Sequence, residues 1–256
     1  MIDTHCHLDV AEFDPDRDAV LARARAAGLE GIVVPGIAAA GFAGLLDLCE
    51  RHADLYPALG LHPVYLAEHS PDDLATLEQL VAERPPVAIG EIGLDFFVED
   101  ADRDGQQRLL EAQLAVARDA GLPVLLHVRK AHDEVLSMLR RLRFPHGGTA
   151  HAFNGSRQQA DRYLDLGFKL GFGGVCTYER AKRIRRLAAE LPLTALVLET
   201  DAPDLPPVAH QGGRNSPEYL SEVVAALAAL REEEPATITA RTTANARELL
   251  GLERPA

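Results

Sequence analysis

The chain has 256 residues, 47% hydrophobic and 25% charged, values of an ordinary globular protein that can bury a core without disulfide or metal staples. Its formal net charge of −13 excludes a protein that coats duplex nucleic acid through a broad basic footprint, but not an enzyme that meets a phosphodiester through bound cations. No run of about 18 apolar residues occurs, which excludes a membrane-spanning helix.

Read in chain order, short β-rich runs alternate with longer segments of helical period. The first run, 2–7, already carries His5, Cys6 and His7. A helix over 16–27 follows, stopped by Gly28, then a strand at 31–35 and a helix at 42–52. The strand at 56–62 leads to a helix at 71–84, with Ser70 as N-cap and Pro71 at the first helical position. Strand 87–91 precedes a helix at 104–120 that ends at Gly121. Strands at 124–127, 148–151 and 168–173 alternate with helices at 132–141, 156–166 and 178–190. The last strand is 196–201, followed by a Pro/Gly-rich loop, 202–217, and two tail helices, 217–231 and about 236–250.

This alternation predicts parallel strands joined by helical crossovers. About eight such units in a chain of this length predict an α/β fold of the (β/α)8 TIM-barrel type. A doubly wound sheet fits less well, because no glycine-rich phosphate fingerprint follows the first strand. No linker, repeat or low-complexity tract divides the chain, so one barrel domain over 1–256 is expected. The three cysteines, Cys6, Cys49 and Cys176, are far apart and lack a CxxC pair, as in reduced cytosolic thiols. The chain also starts without a basic-then-apolar leader, and a cytoplasmic location is expected.

Active sites of such barrels sit at the C-terminal strand ends. The predicted ends carry His5 and His7, His62, Glu91, His127, His151 and Asp201. His5 and His7, spaced i, i+2, share a strand face, while Cys6 points away into packing. Imidazole and carboxylate donors suit zinc, manganese, cobalt or nickel better than magnesium or calcium. Four histidines (His5, His7, His127, His151) with Glu91 and Asp201 exceed what a single catalytic ion takes, so two divalent cations about 3.5–4 Å apart are expected, bridged by one carboxylate. Each residue has a plainer reading alone: Glu91 as a surface acid, His127 as a core histidine. Their joint placement at strand ends favours the metal site. His52, His69, His132, His146 and His210 read as solvated or structural. The basic run Arg180, Lys182, Arg183, Arg185, Arg186 reads as a solvated helix face, since no aromatic residues interleave it in the manner of a strand-binding groove.

The motifs Asp3-Thr4-His5-Cys6-His7, Gly60-Leu61-His62-Pro63, Gly90-Glu91-Ile92-Gly93-Leu94-Asp95, His127 with Arg129, His151-Ala152-Phe153, Glu199-Thr200-Asp201-Ala202-Pro203 and Arg214-Asn215 resemble the TatD family of metal-dependent deoxyribonucleases over nearly the whole chain. Residues 129–133 and Thr177-Tyr178 are most similar to its YjjV-like branch. The resemblance implies one ion on His5, His7, Glu91 and Asp201, another on Glu91, His127 and His151, and a nucleic-acid or other phosphodiester substrate. Two positions depart from the pattern: Asn154 stands where the family commonly has serine, and Ser216 where it has glutamate.

The expected reaction is hydrolysis by cation-activated water. Asp201 orients that water and takes its proton, and Glu91 holds both ions. Glu199, two residues before Asp201, either fixes a histidine tautomer or pairs with an arginine. His62, Arg129, Asn154, Ser156 and Arg214 are candidates for gripping a phosphate. His62 could instead anchor its loop, and Arg129 could make an ion pair at the rim. Cleavage of DNA ends is the leading expectation. The rivals are hydrolysis of a carboxylic ester or amide, such as a lactone, cyclic amide or aminoacyl ester, and a metal-dependent binding protein without turnover. No membrane and no obligate protein partner is expected.

Overall fold

In the computed structural model, which describes residues 1–97, 100 and 102–252, all strand pairs are parallel and the eight strands follow one another in sequence order around the sheet. They are β1 (Ile2–Asp3), β2 (Gly31–Pro35), β3 (Leu55–Leu59), β4 (Ala88–Asp95), β5 (Val124–Arg129), β6 (Gly148–Ala150), β7 (Phe168–Phe172) and β8 (Leu196–Leu198). The helices are α1 (Arg17–Ala26), α2 (Ala39–Glu50), α3 (Asp73–Glu83), α4 (Arg103–Ala120), α5 (His132–Leu142), α6 (Arg157–Asp165), α7 (Lys182–Glu190), α8 (Leu220–Arg231) and α9 (Pro235–Leu250). The architecture is the expected (β/α)8 barrel. Backbone bonds from Thr4 N–H to the Leu198 carbonyl (2.9 Å) and from Asp201 N–H to the His5 carbonyl (2.8 Å) tie the first strand's continuation to the last. None of the described helices is long and apolar enough to cross a membrane.

Alternation along the strands divides the core. Ile32 and Val34 on β2, Val124, Leu126 and Val128 on β5, Leu170 and Phe172 on β7, and Leu196 and Leu198 on β8 pack outward against the helices. The opposite parity forms a second cluster: Ile2, Val33, Ala58, Ala88, Leu125 and Val197 meet Ala246 and Leu250 of α9 and Leu252. This inner cluster fills the barrel and is closed by the C-terminal helix. Two residues beyond Leu125 on the same face stands His127, and two beyond Val197 stands Glu199, while Asp201 follows past the end of β8, where a φ of 60° turns the chain out of the strand. The period that packs the barrel interior thus also aims His127 and Glu199 into its mouth.

Several boundaries shift from the sequence-based expectation. The first assigned strand ends at Asp3 rather than at residue 7. Its hydrogen bonding nevertheless continues, with Cys6 N–H on the Val33 carbonyl at 3.1 Å, so the alternation survives: His5 and His7 meet while Cys6 is fully buried in packing. β4 runs on to Asp95, four residues past the expected end, because the register shifts between Ile89 and Ile92 and the strand then resumes pairing with β5. A shift of this kind inserts an extra residue and re-aims side chains. The expected helix 178–190 begins only at Lys182, behind a 3-10 turn at Gly174–Thr177. The helix expected from 217 opens as a 3-10 turn, Pro217–Tyr219, before α8.

Candidate metal centre

Glu91 lies in the irregular part of β4 and is 1% exposed. The bend brings its backbone against Gly60, where a Cβ would lie 2.6 Å from the Gly90 carbonyl carbon and 2.9 Å from the Glu91 nitrogen. Only glycine permits that approach. The Glu91 carboxylate then divides its surroundings. Oε2 lies 3.1 Å from His5 Nε2 and 3.3 Å from His7 Nε2. Oε1 lies 2.9 Å from His127 Nδ1, 3.5 Å from His151 Nε2 and 3.4 Å from His62 Nε2. Asp201 Oδ1 faces both groups, at 3.7 Å from His5 Nε2, 3.8 Å from His7 Nε2 and 3.9 Å from His151 Nε2.

These spacings fit cations. Donors about 2.1 Å from a common tetrahedral ion stand about 3.4 Å apart. His5, His7 and Glu91 form one compact donor group, His5, His151 and Asp201 another, and His62, Glu91 and His127 a third. The Nε2 atoms of His5 and His7 are 3.3 Å apart, a close approach of two ring nitrogens that a shared cation or a bound proton must bridge.

Outer partners set the ring orientations. His7 Nδ1 donates to the Pro35 carbonyl at 3.2 Å, which leaves Nε2 facing the cluster. His127 Nε2 donates to Asp95 Oδ2 at 3.0 Å, which leaves Nδ1 for the Glu91 side. His151 Nδ1 faces Glu199 Oε1 at 3.4 Å. Glu199 also accepts the Ala152 N–H at 2.5 Å, and a Cβ at Gly171 would collide with its carboxylate. No arginine pairs with Glu199 among the described residues. His62 differs. Its Nδ1 accepts the Val64 N–H at 3.2 Å, so in the neutral ring Nε2 carries the hydrogen and presents a donor rather than a lone pair.

The backbone frame is held by buried polar groups. Asp3 accepts from the His5 N–H (3.1 Å), the Thr200 N–H (3.0 Å) and the Thr200 hydroxyl (2.6 Å), linking the ends of the first and last strands. Two glutamines one heptad apart on α4 clamp two other strand ends. Gln113 accepts from the Leu61 N–H and donates to its carbonyl, beside His62. Gln106 does the same for Asp95.

Charge within the centre is balanced by proximity. Burial works against a charged His7, but the Glu91 carboxylate and Asp201 raise it to about 9. Burial likewise opposes charge on His151, yet Asp201, Glu199 and Glu91 raise it to about 10. His5 falls to about 3, mainly through burial and the neighbouring His151. Burial lifts Asp201 to about 6. Burial opposes the ionised form of Glu91 as well, but the surrounding imidazoles hold it well below the usual carboxylate range. Without a cation, protons on His7 and His151 therefore neutralise the carboxylates, and cation uptake displaces them.

A cavity of about 660 Å³ opens beside the cluster, lined among others by His127, His151, Asp201, Arg129 and Asn154. The remaining candidates for anion binding have other partners. Asn154 donates to the Ala152 carbonyl at 3.1 Å and accepts from His132 at 3.2 Å. Ser156 caps α6, its hydroxyl accepting the Gln159 N–H at 3.2 Å. Arg214 forms a fork on Asp16, with both contacts at 2.8 Å. Ser216 donates to the Glu218 carboxylate, and Asn215 pins its loop to the Thr200 and Asp204 carbonyls at 2.8 and 2.7 Å. Arg129 lies over the Phe97 ring. Asp95 and the two glutamines were not among the sequence-based candidates.

Comparison with known proteins identifies the family. The model of the TatD-related DNase family matches residues 2–251. YjjV of Escherichia coli K12, named an uncharacterized metal-dependent hydrolase, is 48% identical over 234 residues, covering 91% of this chain and 90% of that protein. The crystal structure of YjjV, described as a TatD homolog, superposes with a TM-score of 0.96 at 45% identity and covers 99% of this chain and 98% of that one. A Klebsiella pneumoniae protein named 3'-5' ssDNA/RNA exonuclease TatD is 36% identical over 260 residues, covering 99% of this chain and 98% of that protein. The chain belongs to the TatD-related DNase family.

Proposed function

We propose that this chain is a metal-dependent hydrolase that cleaves phosphodiesters at the ends of single-stranded nucleic acid, using two divalent cations. The observation that carries the reading is the Glu91 carboxylate, whose two oxygens face two separate histidine groups. His5, His7, Glu91 and Asp201 would hold one cation, and Glu91, His127 and His151 the other. Their donors suit zinc, manganese, cobalt or nickel over magnesium. The exonuclease name of the Klebsiella relative supports a nucleic-acid substrate. The same reading takes the chain as one barrel unit, since the family match spans residues 2–251.

When bound, the cations supply Lewis acidity that activates water and offsets charge developing on the phosphate. Asp201 accepts the proton of the attacking water. It is the more open carboxylate, its side chain 15% exposed against 2% for Glu91, so it is the one of the two that water can reach. Glu199 orients His151, and Asp95 orients His127. His62 donates through Nε2 to a phosphate oxygen, and Arg129 attracts the strand.

The test is incubation of metal-loaded protein with end-labelled single-stranded DNA and, in parallel, with lactones and carboxylic esters. Stepwise shortening of the strand is expected, abolished by chelation and restored by metal. Ester turnover without strand cleavage would move the substrate to the carbonyl class. Full strand cleavage by metal-stripped protein would remove the cations from the reaction.

A further inference from the structure

Among the described residues five large apolar side chains are exposed: Val64, Tyr65, Phe97, Leu205 and Val208. All lie on segments following β3, β4 or β8, at the mouth that holds the donor cluster. Two of them, Phe97 and Leu205, line the cavity beside that cluster, and exposed apolar groups at a cavity mark a binding surface. Phe97 is the most open, at 49%, and lines the same cavity as His127, His151 and Asp201. Its place is fixed from beneath. The Phe97 N–H donates to Asp95 Oδ1 at 2.9 Å, while the other oxygen of Asp95 holds His127.

The central carbon of the Arg129 guanidinium lies 3.7 Å from the Phe97 ring centroid, and Lys130 Nζ lies 4.5 Å from it. Both cations are exposed, and neither has a carboxylate ion pair among the described residues. A guanidinium at stacking distance from a ring presents a planar, charged surface, and planar groups of this kind stack on bases. Cations beside it attract the flanking phosphates locally, although the chain as a whole carries a net charge of −13.

We propose that Phe97 and Arg129 form a stacking shelf for an unpaired nucleobase of DNA or RNA beside the bond that is cut. The proposal rests on the strand-hydrolysis reading above. A base within a duplex has both faces covered by its neighbours, so the shelf favours single strands. Stacking uses the π-face that every base has, so it tolerates sequence.

The test compares wild type, Phe97→Ala and Phe97→Trp on strands with natural terminal bases and on strands with abasic terminal positions, in deoxy and ribo forms. The preference in kcat/KM for natural over abasic strands is expected to fall about tenfold in Phe97→Ala, and Phe97→Trp restores it. A second readout needs no turnover: a terminal 2-aminopurine is quenched on binding metal-free wild type, and the quenching is lost in Phe97→Ala. Quenching through Phe97 without cleavage under any metal keeps the shelf and rejects strand hydrolysis. Cleavage with an unchanged natural-to-abasic preference and unaltered quenching keeps strand hydrolysis and overturns the shelf.

Discussion

Glu91→Gln is expected to cost more turnover than the roughly 10²–10³ lost with a single transition-state donor, and to weaken cation binding beyond the roughly 100-fold cost of losing an outer partner. Glutamine keeps the volume of the side chain in its fully enclosed place and removes the charge. Both oxygens of Glu91 face imidazole nitrogens at 2.9–3.5 Å, so the substitution weakens both halves of the centre together. The protein still folds, because His7 and His151 can give up their protons when the carboxylate charge is gone. Thermal melting with and without added cation separates these effects. Wild type gains stability from the cation, by about 2.7 kcal/mol at a hundred times the dissociation constant, whereas Glu91→Gln gains little at the same concentration. A variant that keeps the full metal-induced shift would show that Glu91 does not join the two halves.

Asp201→Asn is expected to lower kcat by about 10²–10⁴, the usual contribution of a positioned base, with unchanged circular dichroism and melting in the metal-free state. Asparagine is the apt substitution because Asp201 has φ of 60°, a left-handed conformation that asparagine tolerates far better than other non-glycine residues. Its backbone N–H on the His5 carbonyl, at 2.8 Å, is unaffected by the side-chain change. The amide cannot accept a proton from water at neutral pH. A rate near that of wild type at saturating cation would assign proton transfer to another group.

The barrel was legible in the sequence because its strands are short, buried and separated by helices with clear stop signals such as Gly121, whose φ of 71° ends α4. The six candidate ligands were legible because strand-end position and side-chain parity are local properties of the chain. Asp95 was not. The expected strand stopped at Glu91, and the register shift that carries β4 onward depends on pairing with β5, which no local pattern encodes. The roles of Gln106 and Gln113 were hidden for a similar reason, since their partners Asp95 and Leu61 lie on other elements. Ser156 illustrates the reverse case. Its serine-x-x-glutamine spacing already spelled a capping box, and the structure uses its hydroxyl there. His62 could be placed at the rim from sequence, but its tautomer follows from the Val64 N–H contact.

The most direct measurement is anomalous X-ray scattering from crystals of the protein loaded with manganese or zinc. Two peaks about 3.5–4 Å apart, with Glu91 between them and His5 and His7 on one side and His127 and His151 on the other, are the predicted result. A single peak held by one histidine group, or peaks away from Glu91, would contradict the paired-cation account.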